Sequence, residues 1–297
     1  MKDYIISTDS TSDFYADEIE QMNLNVGKLS YTITENNVVT EYLDDFKTKD
    51  EYIKYYEKLK NGGVAKTSIL NLQAHIDLFT DMAKKGIKNA IHITQAMGLS
   101  PTLNNALAAI EEVKKEFPDI NYKAIESNTT TVAEGNLVKI AYKLRDQGLS
   151  MEDTIDTLET IKNQIQHFII VDDLQYLRRG GRVSAVSATI GTLLSIKPII
   201  EFTKHGKLEI VRKETGIKKA YKSVITEVKQ NFTMHKEFGH PIIVHTNNET
   251  GANTLADMFE AEFNIRPEIR IMGPIIGAHV GPNAVALTFV SNEKRKY

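Results

Sequence analysis

Apolar runs that end in hydroxyl-rich turns and then give way to helix-patterned segments constrain this chain more than any other feature. Residues 4–9 run apolar into Asp9-Ser10-Thr11-Ser12-Asp13, and residues 14–22 follow with helical spacing and acids in the first turn. The unit recurs. A strand over residues 89–94 precedes a helix over 100–116, a strand over 122–125 precedes a helix over 130–147, and a further helix is predicted over 151–166. Strands joined through helices pair side by side in parallel, so the first half predicts a parallel α/β sheet.

A second set starts at the apolar run 168–171. The pattern predicts a helix over 183–194, a hairpin of strands 197–203 and 208–213 around His205-Gly206, then helix 216–232, strand 241–245, helix 251–263 and strand 268–272. This half reads as a mixed α/β layer. A length of 297 residues suits about two domains, and element counting divides the chain into an α/β domain at residues 1–163 and a second at 164–297.

Composition narrows function. With 36 Lys and Arg against 39 Asp and Glu the net charge is −3, which argues against a nucleic-acid binder that neutralises many phosphates. Hydrophobic residues at 41% exclude wholesale disorder. The lack of cysteine removes thiolate nucleophiles, disulfides, iron–sulfur ligation and cysteine-based zinc sites. Asp3 and Asp9 interrupt any apolar region of signal-peptide length, so a cytoplasmic location is expected. Residues 272–290 carry no Asp, Glu, Lys or Arg, but Gly273, Pro274, Gly277, Gly281 and Pro282 break them. They are read as loop and buried strand, not as an integral membrane segment.

Open α/β sheets hold ligands beyond the carboxyl ends of their strands, where loop amides and helix N-termini converge. Polar clusters predicted at such ends are Asp9-Ser10-Thr11, the stretch 94–100 and a turn at Gly277-Ala278-His279; Lys66-Thr67-Ser68 precedes a helix predicted from about Leu70. A cleft lined by hydroxyls is expected. An aspartyl nucleophile at Asp9 needs a second acid two residues on, where Thr11 stands. Gly98-Leu99-Ser100-Pro101-Thr102 lacks the closing glycine of a nucleophile elbow and reads as a helix start, with Ser100 as N-cap and Pro101 first in the helix. Glycine-rich nucleotide loops and paired zinc-protease histidines are missing from the sequence. Arg178-Arg179-Gly180-Gly181-Arg182 sets three guanidiniums beside two glycines, a pattern for holding a phosphate or an acidic partner unless Asp172 and Asp173 neutralise it.

Several of these segments, in this order and over nearly the whole chain, resemble the DegV family of fatty-acid-binding proteins. Thr8-Asp9-Ser10-Thr11-Ser12-Asp13 is similar to the family's Thr-Asp-Ser-Thr-x-Asp start, Lys66-Thr67-Ser68 to the opening of its Lys-Thr-Ser-Gln-Pro-Ser motif, and Glu126-Ser127 to its Asp-Ser strand end. The segment 171–184, with Arg178-Arg179-Gly180-Gly181-Arg182 at its centre, is the strongest match, and Gly277-Ala278-His279-Val280-Gly281-Pro282 resembles the closing signature.

The resemblance implies a two-domain α/β architecture: an N-terminal, Rossmann-like domain with a parallel sheet and a C-terminal domain with a mixed sheet. A long-chain fatty acid is then expected between them as the ligand, with no cofactor and no metal. Hydroxyls and a histidine hold its carboxylate. Thr67 and His279 match such positions, with Ser68, Ala96, Met97 and Ser100 as the further fatty-acid contacts. The protein is then a carrier and not an enzyme, and it hands its ligand to a separate ATP-dependent fatty acid kinase subunit that makes an acyl phosphate. Arg179 and Arg182 become partner or anion contacts. Two departures bear on the head group: Ile69-Leu70-Asn71 replaces Gln-Pro-Ser, and Ala96-Met97 replaces a Ser-Ser pair. One carboxylate hydroxyl is thereby lost, and Met97 is expected to fill pocket volume and favour a shorter or differently shaped tail. The residues also leave open a hydrolase or phosphotransferase using Asp9, Ser10 or Ser100 in the same cleft, and a ligand-free regulatory protein.

Overall fold

The computed structural model describes residues 4–182 and 195–297. Three sheets organise them. The strands β1 (Ile5–Asp9), β2 (Asn25–Gly27), β6 (Asn89–Thr94) and β7 (Asn121–Glu126) form the expected parallel sheet, in the order β2-β1-β6-β7. A small antiparallel sheet joins β3 (Ser30–Glu35), β4 (Val38–Leu43) and β5 (Val64–Thr67), in the order β4-β3-β5. The third sheet contains β8 (Ile165–Ile170), β9 (Ile196–Phe202), β10 (Leu208–Thr215), β11 (Ile242–His245), β12 (Glu268–Ile271) and β13 (Val285–Val290), in the order β10-β9-β8-β13-β11-β12. It is mixed: only β11 and β12 run parallel.

The helices of the first half are α1 (Ala16–Met22), α2 (Lys49–Lys60), α3 (Leu72–Lys84), α4 (Thr102–Glu116), α5 (Thr131–Asp146) and α6 (Met151–Ile161). In the second half lie α7 (Leu174–Arg179), α8 (Ile217–Asn231), α9 (Glu249–Phe263) and α10 (Pro274–Val280). Among them α5 is buried on nearly every side, with Leu137, Val138 and Ala141 fully enclosed. It packs against β1 and β6 of the parallel sheet and against β13 of the mixed sheet, so both halves share it as an inner layer.

Helices α2 and α7 were not expected from the sequence, and the expectations differ from these elements at four further places. The helix predicted over 151–166 stops at Ile161, and β8 begins at Ile165. All six β8 residues are buried between β9 and β13, and sheet pairing overrides a periodicity that suited a helix equally well. The three-stranded sheet was not predicted. Its hairpin turns on Asn36 and Asn37, which hold φ of 51° and 63°, the paired left-handed conformation that matches strand twist. The turn predicted around His279 is instead the helix α10, because Pro274 occupies its first position, where no N–H is needed. Finally, α4 starts at Thr102 with Pro101 as its cap, and the Ser100 hydroxyl pairs with Thr102 Oγ1 at 2.9 Å rather than capping the helix. The helix predicted over 183–194 lies outside the described residues.

One buried ion pair ties the ends of the chain together. Arg270 on β12, only 5% exposed, donates to Glu18 Oε1 at 2.9 Å and Oε2 at 2.5 Å, to the Asp13 carbonyl at 3.0 Å and to Glu268 at 3.0 Å. Its guanidinium also lies 4.1 Å from the centre of the Tyr15 ring. Burial alone raises the Glu18 carboxyl, but the hydrogen bonds from Arg270 and Lys139 outweigh it and hold Glu18 at about 2. Removing one partner of a buried pair strands the other, so Arg270→Met is expected to cost about 3 kcal/mol in urea unfolding at neutral pH. Because the folded Glu18 pKa lies below its unfolded value, this stability is present above about pH 4.3 and fades as pH falls toward 2. Glu18→Gln should therefore lose less stability than the wild type between pH 5 and pH 2.5; equal losses would contradict the account.

Candidate functional site

Thr67 ends β5 and His279 stands in the last turn of α10, and the fold brings the Thr67 hydroxyl to 2.8 Å from His279 Nε2. Four contacts aim the imidazole. The Tyr56 hydroxyl on α2 donates to the Met272 carbonyl at 2.7 Å, and its neighbour Tyr55 donates to the Pro274 carbonyl at 2.8 Å, which seats the start of α10. Gly277 lets α10 sit this close, since a Cβ there would stand 2.2 Å from the Tyr56 hydroxyl. From the other side, the backbone after α7 closes on the ring: a Cβ on Gly180 would stand 2.2 Å from His279 Nδ1. The first glycine of the Arg-Arg-Gly-Gly-Arg run is therefore a packing requirement of the histidine. Burial, assisted by the nearby Arg182 guanidinium, depresses the His279 imidazole to about 4 and keeps it neutral near pH 7.

Thr67, His279 and Arg182 stand on the wall between two spaces. The inner one is an apolar cavity between the sheets, walled by Leu29, Ile169, Leu177, Phe202 and Ile275 among others. Its empty space totals about 690 Å³ counted to the mouth, but only about 60 Å³ admits the centre of a water molecule, so it is a narrow slot. The outer space is a surface groove carrying Lys66, Arg179 and Arg182. The site thus has a greasy side, a basic side and a neutral hydroxyl–imidazole pair at the junction.

Ser68 and Ser100 line the slot beside Thr67 and His279, as does Arg182, while Arg179 lines the groove alone. Ala96 and Met97 do not line the slot. The Ala96 amide donates to the Thr129 carbonyl at 2.8 Å, and Leu99 and Ser100 bond back to the Ala96 carbonyl. That turn sends Leu99 and Ser100 into the slot, leaves Ala96 buried against Gly206, and ties the Met97 amide to Glu126 at 2.6 Å. Met97 therefore does not fill the pocket volume expected of it.

Asp9 and Ser10 are also elsewhere. Asp9 is fully buried, accepts from the Thr11 amide at 2.8 Å, and is raised to about 6 by burial. The Thr11 hydroxyl contacts both Asp9 and Glu134, the latter at 2.8 Å, yet it has one proton to give. Burial pushes Glu134 well above the ordinary carboxyl range, so Glu134 supplies the second proton as a neutral acid. Ser10 Oγ accepts from the Leu29 amide at 3.1 Å. Neither Asp9 nor Ser10 reaches the slot that Ser100 lines, which removes the shared cleft a nucleophile reading requires. Asp172 pairs with Lys197 at 2.7 Å and Asp173 caps α7, so these carboxylates are occupied away from Arg179 and Arg182.

Among the polar residues of the lining, the sequence did not single out Thr130 and Thr131 at the start of α5 or His167 on β8. A run of three threonines just beyond β7 was the available signal. Among the described residues no cluster of three or more His, Asp or Glu could hold a metal, and no helix is long and apolar enough to cross a membrane.

Comparison with known proteins follows the same lines. The family model described as an uncharacterised protein of the DegV family matches residues 4–292. A DegV domain-containing protein of Clostridium perfringens is 30% identical over 295 residues, 99% of this chain and 99% of that one. A DegV lipid binding protein from Thermotoga maritima shares the fold with a TM-score of 0.84 at 24% identity, over 98% of this chain and all of its own. A fatty acid binding DegV family protein from Streptococcus agalactiae has a TM-score of 0.78 at 25% identity, over 98% of this chain and 99% of its own. The Streptococcus pneumoniae Fatty Acid Kinase B3 protein, loaded with linoleic acid, has a TM-score of 0.79 at 20% identity, over 97% of this chain and 99% of its own. Matched along nearly its whole length by the family model and by a relative at 30% identity, the chain belongs to the DegV family.

Proposed function

We propose that this protein binds a long-chain fatty acid in the inner slot and presents its carboxylate to a separate ATP-dependent fatty acid kinase subunit for acyl phosphate formation. It acts as a cytoplasmic carrier and not as an enzyme, with residues 1–163 and 164–297 as the two domains that enclose the tail. The observation that carries this reading is the place of the Thr67–His279 pair, where an apolar slot meets a basic groove. The fatty acids carried by solved relatives support it.

The energetics suit that ligand. Each buried CH₂ contributes ~0.8 kcal/mol, so a tail of about sixteen carbons has an upper bound of roughly 12 kcal/mol before ordering costs. The slot is narrower than such a chain, and the apolar walls part as the tail enters. At the head, the Thr67 hydroxyl and the His279 N–H exchange their mutual hydrogen bond for the carboxylate oxygens, and Arg182 supplies the nearby positive charge. An imidazole at the head also stabilises charge that develops as a phosphoryl group arrives. Arg179 and Lys66, in the groove outside, face the partner or its phosphates.

Denaturing extraction of the purified protein followed by mass spectrometry should recover near-stoichiometric fatty acid. No lipid, together with a melting temperature unmoved by added fatty acid, would sink the reading, since ligand at 100 Kd adds about 2.7 kcal/mol. Thr67→Val and Gly180→Ala should each weaken retention by about tenfold, the first by deleting a hydroxyl and the second by displacing the imidazole. Arg179→Glu, in the groove outside the slot, should lower kinase-dependent acyl phosphate formation while sparing lipid uptake. The neutral form of His279 is favoured on folding, so its stabilisation is complete above about pH 6.5 and is lost as pH falls toward 4. Between pH 7.5 and pH 5 the delipidated wild type should accordingly lose about 2 kcal/mol more stability than His279→Gln.

A further inference from the structure

The slot carries a second polar region that holding a carboxylate at Thr67 and His279 leaves unused. Thr130, Thr131 and His167 line it with exposures of 3%, 1% and 3%. Thr130 Oγ1, Thr131 Oγ1 and His167 Nε2 have no hydrogen-bond partner among the described residues. Buried polar groups in folded proteins are almost always paired. Three unpaired groups on the lining of one cavity, brought there by α5 and β8, mark a place where a bound group completes the hydrogen bonding. Thr131 also holds a φ of 58°, a left-handed conformation that β-branched residues rarely adopt.

The chemistry of the three limits what that group can be. His167 Nδ1 is engaged by the Thr129 hydroxyl at 3.2 Å, which leaves Nε2 as its free ring atom. Threonine hydroxyls both donate and accept, and a neutral imidazole nitrogen does one or the other. Burial and the neighbouring Arg295 hold His167 at about 3, so it stays neutral. Among the described lining residues Arg182 alone is ionised, and it belongs to the His279 end of the slot. A carboxylate therefore goes to Arg182, and the complement of the second region is an uncharged oxygen.

We propose that the slot takes a fatty acid whose chain carries an uncharged oxygen substituent, a hydroxyl or keto group, hydrogen-bonded by Thr130, Thr131 and His167 while its carboxylate is held at Thr67 and His279. This rests on the carrier reading and narrows its ligand class. The test uses the delipidated full chain, with stearic acid competed by a panel of octadecanoic acids that carry one hydroxyl or keto group at different positions. At least one isomer should bind about tenfold tighter than stearic acid, the gain of one well-placed hydrogen bond. That preference, read as the ratio of the isomer's affinity to that of stearic acid in the same variant, should fall to within about twofold in Thr130→Val, Thr131→Val or His167→Phe. If stearic acid binds and no isomer binds tighter, or if the preference survives all three substitutions, the inference falls and the carrier reading stands. If neither stearic acid nor any isomer binds, the carrier reading falls and takes the inference with it.

Discussion

The site depends on how a seven-residue helix is seated. By itself α10 is far too short to be stable in water, because a helix of this length makes few internal hydrogen bonds for the entropy it costs. It is held by what surrounds it. The hydroxyls of Tyr55 and Tyr56 take the carbonyls at its entrance, Gly277 removes the side chain that would block Tyr56, and Gly180 presses against the imidazole near its end. These contacts join segments about a hundred residues apart or more, and they leave His279 facing Thr67 with little freedom to turn.

Such positioning sets the electrostatics as well. An imidazole near a guanidinium and away from water is driven to its neutral form, and Arg182 remains the cation at the slot. The division of labour follows: a neutral pair supplies directed hydrogen bonds, while the formal charge stands at the rim toward the groove. The buried acids at the carboxyl end of β1 do something different. Asp9, Thr11 and Glu134 share protons among themselves inside the protein, and their role is to hold the turn that follows β1 against α5.

The parts of the structure legible in the sequence were those governed by local pattern. Alternating strands and helices announced the parallel sheet, and His205-Gly206 between two apolar runs announced the β9–β10 hairpin. Thr67 and His279 were legible through a resemblance of motifs, and the fold placed them 2.8 Å apart although 212 residues separate them. What failed were inferences that needed a direction in space. Ala96 and Met97 sat in the right segment, but the turn beyond β6 sends Leu99 and Ser100 to the slot instead. The helix expected over 151–166 was right as far as Ile161, and pairing with β13 drew Ile165 and Gln166 into β8 instead.

The amino-acid sequence by itself determined the class of fold, the apolar stock for a large core, the lack of cysteine chemistry and the family motifs, since each depends on residue type and short-range spacing. Tertiary structure alone decided that one wall would carry a hydroxyl–imidazole pair between a greasy slot and a basic groove. It also decided that Thr130, Thr131 and His167 would line that slot, with both threonine hydroxyls and His167 Nε2 unpaired among the described residues. The physical reason is that burial and hydrogen-bond pairing belong to the packing of distant elements, and a side chain's chemistry is set by what surrounds it rather than by its neighbours in the chain.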